Sequence, residues 1–91
     1  MGWSAARKLR RGVDGLTTVL AIEILTAARG IDMRQPLAPS PATGAVVAAL
    51  REHVQGPGPD RYLAPEIAAA VALAHSGEFI RAAESAIGPL I

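Results

Sequence analysis

The sequence predicts an all-α fold, one long helix followed by three shorter ones, and three observations carry that prediction. Ala, Leu, Ile, Val, Arg and Glu dominate outside the loops, with 19 Ala among 91 residues. Apolar residues recur at helical spacing, and β-branched runs stay short. The Pro and Gly residues cluster between these periodic segments and so punctuate them. With three aromatic residues in the chain, apolar burial must come from many small side chains and close helix approach.

The first helix is expected over about residues 3–29. Leu9, Val13, Leu16, Leu20, Ile24 and Ala27 are spaced 4, 3, 4, 4 and 3 apart, one stripe of an α-helix. This stripe is expected to face the other helices, while Val19, Ile22 and Leu25 lie on the opposite side. Gly30 is expected at C′, with Ile31 supplying the accompanying hydrophobic contact. Gly12 and Gly15 each cost ~1 kcal/mol against Ala inside a helix, so packing has to hold this segment together.

Pro36, Pro39 and Pro41 forbid regular structure until Ser40, a good N-cap, with Pro41 at N1. A second helix over about 41–54 places Val46, Val47, Leu50 and Val54 on one side and stops at Gly56-Pro57. GPGPDRY is a stiff connector. The third helix, about 65–75, opens with Pro65 at N1 and Glu66 in its first turn, carries Ile67, Ala70, Val71 and Ala74, and ends at Gly77. The fourth, about 78–87, turns Phe79, Ile80, Ala83 and Ile87 inward, with Glu78, Arg81 and Glu84 spaced three apart outside, and closes at Gly88-Pro89. Residues 1–91 therefore form one helical unit, with no repeat and no low-complexity tract.

Composition narrows the function. Without Cys there are no disulfides or thiolate metal sites, and a reducing compartment, the cytoplasm, is the expectation. The basic start, Arg7, Lys8, Arg10 and Arg11, followed by an apolar run imitates a secretory signal, but Asp14 and Glu23 interrupt the run. It is also too short and too interrupted to span a bilayer, and Ala6 stands where a myristoylation motif needs Ser or Thr. No membrane association is expected. The basic turn could grip phosphates, yet Trp3 is the only nearby aromatic and Asp14 offsets part of the charge, so no nucleic-acid partner is expected.

His53 and His75 each lie near a helix C-terminus, with no ligand-spaced His or carboxylate beside them, and no metal site is expected. The adjacent His75-Ser76 pair reads as a helix end, since neighbours there cannot form a nucleophile–base pair with an orienting third group. Glu23 is the exceptional residue. Its helical neighbours Val19, Leu20, Thr26 and Ala27 are uncharged, so its carboxylate must find a partner on another segment, reach solvent or protonate.

The stretches MGWSAARKLRRGVDGL, VLAIEILTAARGIDMRQPLAPSPAT, GPDRYLAPEIAAAV and SGEFIRAAESAIGPL, in unbroken order, resemble the C-terminal end of the aromatic amino-acid lyases, in particular the bacterial branch acting on histidine. The most specific stretches are MGWSAARKLR and RYLAPEI, and neither is a catalytic motif. The resemblance implies a long helix of the central bundle with the C-terminal helices packed on it, in an enzyme that assembles as a homotetramer. It implies a parent reaction in histidine breakdown, non-oxidative elimination of ammonia from L-histidine to give urocanate. A tyrosine or phenylalanine lyase or aminomutase is the alternative within the family.

The family's electrophile, a methylidene-imidazolone, forms from an Ala-Ser-Gly tripeptide that this sequence lacks. The family's catalytic tyrosines, and its Asn and Arg residues that bind substrate, belong to the preceding part of the parent chain. No catalytic, cofactor-binding or metal residue is carried over, and the chain alone is expected to be inactive. Met1-Gly2 resembles an internal Met-Gly that follows a Gln-Glu-Asp-His-Val-Ser segment in the family, so Met1 is expected to be an internal methionine of a longer enzyme. The expected partners are the remainder of the lyase and its tetramer, with self-association in isolation. A free-standing helical module binding an acidic partner through the basic turn is the alternative outside the family.

Overall fold

A computed structural model describes residues 2–90; Met1, read above as an internal methionine, lies outside them. Four helices follow one another: α1 (Gly2–Met33), α2 (Pro41–Arg51), α3 (Ala64–Ser76) and α4 (Glu78–Ile87). The described residues contain no strand. α1 packs on α3, α2 packs on α4, and α3 meets α4 across their shared turn. At 32 residues α1 is roughly 48 Å long, and it sets the greatest dimension of the molecule, 54 Å.

Ser40, Gly77 and Gly88 act as expected. Ser40 is extended (φ −61°, ψ 160°), and its hydroxyl accepts from the Thr43 amide at 3.4 Å, capping α2 above Pro41. Gly77, at φ 81°, is the left-handed hinge between α3 and α4, and its amide donates to the carbonyls of Leu73 and Ala74. Gly88 at φ 90° ends α4.

Three boundaries differ from the sequence expectation. Gly30 does not end α1; the helix runs on to Met33, which sets Asp32 on its last turn opposite Arg51. α2 stops at Arg51 rather than Val54, yet the amides of His53 and Val54 both donate to the Leu50 carbonyl, a loose turn that leaves Val54 buried. α3 starts one residue early, at Ala64, so Pro65 takes the second helical position, where a missing N–H is equally harmless.

The core is small. Ala21 and Ala28 of α1, Leu50 and Val54, Ala70 and Leu73 of α3, and Phe79 and Ala83 of α4 are the buried apolar residues. Half of them are Ala, and Leu50 is the sole large side chain that is completely enclosed, among the described residues. Ala21 and Ala28 recur at seven residues, so α1 meets α3 along a line of methyl groups that lets the two backbones approach.

That line corrects the predicted inner face of α1. Leu9, Val13, Leu16 and Leu20, expected to face the other helices, are exposed, and Ala27 is exposed with them. Of that stripe, Ile24 alone is half-buried against the core, where Leu25, assigned to the opposite side, joins it. At 100° per residue the apolar stripe and the Ala21–Ala28 line lie roughly 100° apart around the helix. In α4, Ile80 and Ile87, expected inward, are likewise exposed, because only the narrower face of Phe79 and Ala83 meets α2.

Candidate functional site

Among the described residues fourteen large apolar side chains are exposed, more than the core encloses, and six of them, Leu9, Val13, Leu16, Val19, Leu20 and Ile22, lie within about four turns of α1. Two apolar faces thus meet solvent side by side on one helix. Contiguous apolar surface on this scale marks a face built to be covered. Three threonines of the same helix present no free hydroxyl donor to that surface. Thr17, Thr18 and Thr26 donate to the carbonyls four residues back, at 3.0, 3.2 and 2.9 Å.

Gly12, Gly15 and Gly30 are helical, and a Cβ built on any of them meets no atom within 4 Å. The fold of these residues gives no reason for glycine there. A helix surface kept smooth at a cost in propensity suits the close approach of another helix.

The basic first turns contribute less. Arg7 stacks over the Trp3 ring, 5.7 Å from its centroid, while Trp3 itself remains largely exposed. Asp14 does not pair with Arg10 or Arg11; its carboxylate lies 3.9 Å from His75 Nε2 on α3, with both side chains more than half exposed. Contacts of that kind are worth little. Glu23 reaches solvent, the second of its three expected outcomes, and makes no ion pair among the described residues.

A second feature escapes sequence reasoning. At the end of α1 distal to the open stripe, the connector between α2 and α3 is pinned by two arginines. Arg51 pairs with Asp32 and donates to the Gln55 carbonyl at 3.2 Å. Arg61 donates to that same carbonyl at 2.8 Å and grips Oε1 of Glu66 through Nε and Nη2, at 3.0 and 2.7 Å. The Arg61 hydrogen bonds hold the Glu66 carboxyl below the usual carboxylate range. GPGPDRY is stiff, as its composition implies, but it is these ties that position it. Only the short Arg61–Glu66 spacing hints at them in sequence; Asp32 and Arg51 are 19 residues apart.

These ties frame a cleft of about 160 Å³ between α1, the connector and α3. Its floor is apolar, formed by Leu25, Val54 and Ile67, and Arg29, Arg51, Arg61 and Glu66 stand in its walls. Arg51 Nε and Glu66 Oε2 are buried without a hydrogen-bond partner. Among the described residues no three His, Asp or Glu side chains gather at metal-binding distance, and no helix is long and apolar enough to cross a membrane. The polar contacts around the cleft are ion pairs and hydrogen bonds of Arg51 and Arg61.

The family model of aromatic amino acid lyases matches residues 1–52, the whole of α1 and α2. The chain is similar to the histidine ammonia-lyases of Streptomyces avermitilis and Streptomyces coelicolor, at 54% and 56% identity over 91 residues. It is also similar to that of Sorangium cellulosum, at 48% over 90 residues. In each case 99% of this chain is aligned, and it spans 18% of the relative's length. No solved structure matches. A family match over more than half of the chain, and identity near one half along all of it, establish that the chain belongs to the aromatic amino acid lyase family.

Proposed function

We propose that these residues are the C-terminal structural and assembly segment of a histidine ammonia-lyase, contributing helix surface and no catalytic group. The observation that carries this reading is the open double face of α1, with Leu16 and Val19 each more than half exposed on the helix that the family match covers. A helix apolar on two sides and packed on one is unfinished as a free-standing unit. The remainder of the lyase chain, and its copies in a homotetramer, supply the missing neighbours. The parent reaction is elimination of ammonia from L-histidine, as the names of the relatives indicate, and its place is histidine breakdown in the cytoplasm.

The family's methylidene-imidazolone does not fit this segment. The chain contains no Ala-Ser-Gly, the tripeptide from which that electrophile is built. Binding and orientation do not substitute for a missing electrophile, so the chain by itself turns over no histidine.

The test is complementation. The 91-residue chain is expressed alone and together with the portion of the Streptomyces coelicolor relative that it does not span. Alone it is expected to form no urocanate; together the two should co-purify and turn over histidine. Activity of the chain alone, freed of host enzyme, defeats the reading, and so does failure of the two parts to associate.

A further inference from the structure

The cleft beside the α2–α3 connector shares Ile22 with the open face of α1 but is otherwise walled by the connector, α2 and α3, and its charges are unequally committed. Arg51 is held by Asp32 and Gln55, and Arg61 by Glu66 and Gln55. Arg29 lines the same cleft and makes no ion pair or side-chain hydrogen bond among the described residues. One uncommitted guanidinium therefore stands over an apolar floor.

We infer that this cleft binds a small organic acid, its carboxylate on Arg29 and its apolar body against Leu25, Val54 and Ile67. Charge and size both point there. The fixed acid–base pairs cancel, leaving a single positive charge at the wall, which complements a monoanion. The planar guanidinium fork matches a carboxylate in bidentate geometry. The volume of about 160 Å³ is close to that of an engineered apolar cavity that admits benzene, so a body of about six heavy atoms fits. An ammonium head would meet Arg29 with like charge, and a neutral alcohol would leave the guanidinium without a counter-charge. The two arginine ties keep the connector in place before a ligand arrives, so little ordering opposes binding.

This inference concerns the isolated chain and stands whether or not α1 is an assembly surface. The experiment is a titration of the 91-residue chain with hexanoate, acetate, hexanol and hexylamine, followed by ligand-observed NMR, with helicity monitored in parallel. Each buried methylene is worth up to roughly a fourfold gain, so hexanoate is expected to bind saturably and at least tenfold more tightly than acetate. Hexanol and hexylamine should bind at least tenfold more weakly than hexanoate. Arg29→Gln should weaken hexanoate about tenfold or more, since a charge-assisted contact is lost, while Arg29→Lys should keep part of the affinity. Arg29 is exposed, so helicity should not change.

Absence of saturable hexanoate binding overturns the inference, as does equal affinity for acetate or for hexylamine. Unchanged hexanoate affinity in both Arg29 variants overturns it as well. None of these outcomes bears on whether the chain complements the remainder of a lyase.

Discussion

Substituting Leu16 with Glu should separate the two roles of α1, because Leu16 sits mid-stripe and is 56% exposed. Full burial of such a side chain is worth ~1.5–3 kcal/mol, so about half of that, ~0.8–1.5 kcal/mol, is still available when a partner covers it. The stripe of Leu9, Val13, Leu16 and Leu20 then offers ~3–6 kcal/mol per chain, and about twice that when two copies pair their stripes. Loss of translational and rotational freedom opposes this by ~4–15 kcal/mol. Self-association in the micromolar to millimolar range is the balance. In a symmetric pair Leu16 counts twice, so Leu16→Glu should weaken association by ~1.5–3 kcal/mol, roughly 10- to 150-fold. Folding stability should move by no more than ~0.5 kcal/mol, because an exposed side chain is replaced. Ile80→Glu is the control: Ile80 is 57% exposed but lies on α4, away from the stripe. Sedimentation equilibrium reads the association and urea unfolding reads the stability. The reasoning is refuted if the parent chain stays monomeric into the millimolar range with a cooperative transition. It is refuted equally if Ile80→Glu disrupts association as much as Leu16→Glu.

Three further outcomes follow from the same contacts. Leu50→Ala empties the one large, fully enclosed position and should cost ~2–5 kcal/mol, enough to abolish cooperative unfolding in a chain with so small a core. Gly12→Ala and Gly15→Ala each should stabilise the isolated chain by ~0.5–1 kcal/mol, since no atom lies within 4 Å of the new Cβ, yet weaken complementation by the rest of the lyase. Glu66, depressed by Arg61, contributes stability that is present above the unfolded carboxylate range and lost as pH falls through its lower folded value. Urea titrations across the acidic range should therefore show a pH-dependent loss that Glu66→Gln removes.

The existence and order of the helices were legible because their signals are local. Ser40-Pro41 and the Gly77 hinge act within a few residues of themselves, and a helix end needs nothing more. The inner face of α1 was not legible. A stripe at helical period proves that a face is covered by something, but it does not say by which chain, and here the most regular stripe is the one left open. The face that α3 covers is drawn in Ala21 and Ala28, which carry little hydropathy and much closeness. Gly30 misled for a related reason: glycine permits a helix to end but does not require it, and the Asp32–Arg51 tie begins two residues beyond. The arginine cleft was hidden because its walls come from α1, α2, the connector and α3 at once. Only the Arg61–Glu66 pair is near enough in sequence to suggest itself.

Hydrogen exchange of α1 amides, with and without the remainder of the lyase, addresses the central claim most directly. In the isolated chain the half of α1 that projects past α3, Gly2 to about Leu16, has exposed side chains on every side, and its amides should exchange quickly. Assembly with the portion of the Streptomyces coelicolor relative that this chain does not span should protect those amides by at least tenfold, with smaller changes in α4. Protection that rises in α4 while the first half of α1 stays fast would place the interface elsewhere and contradict the account.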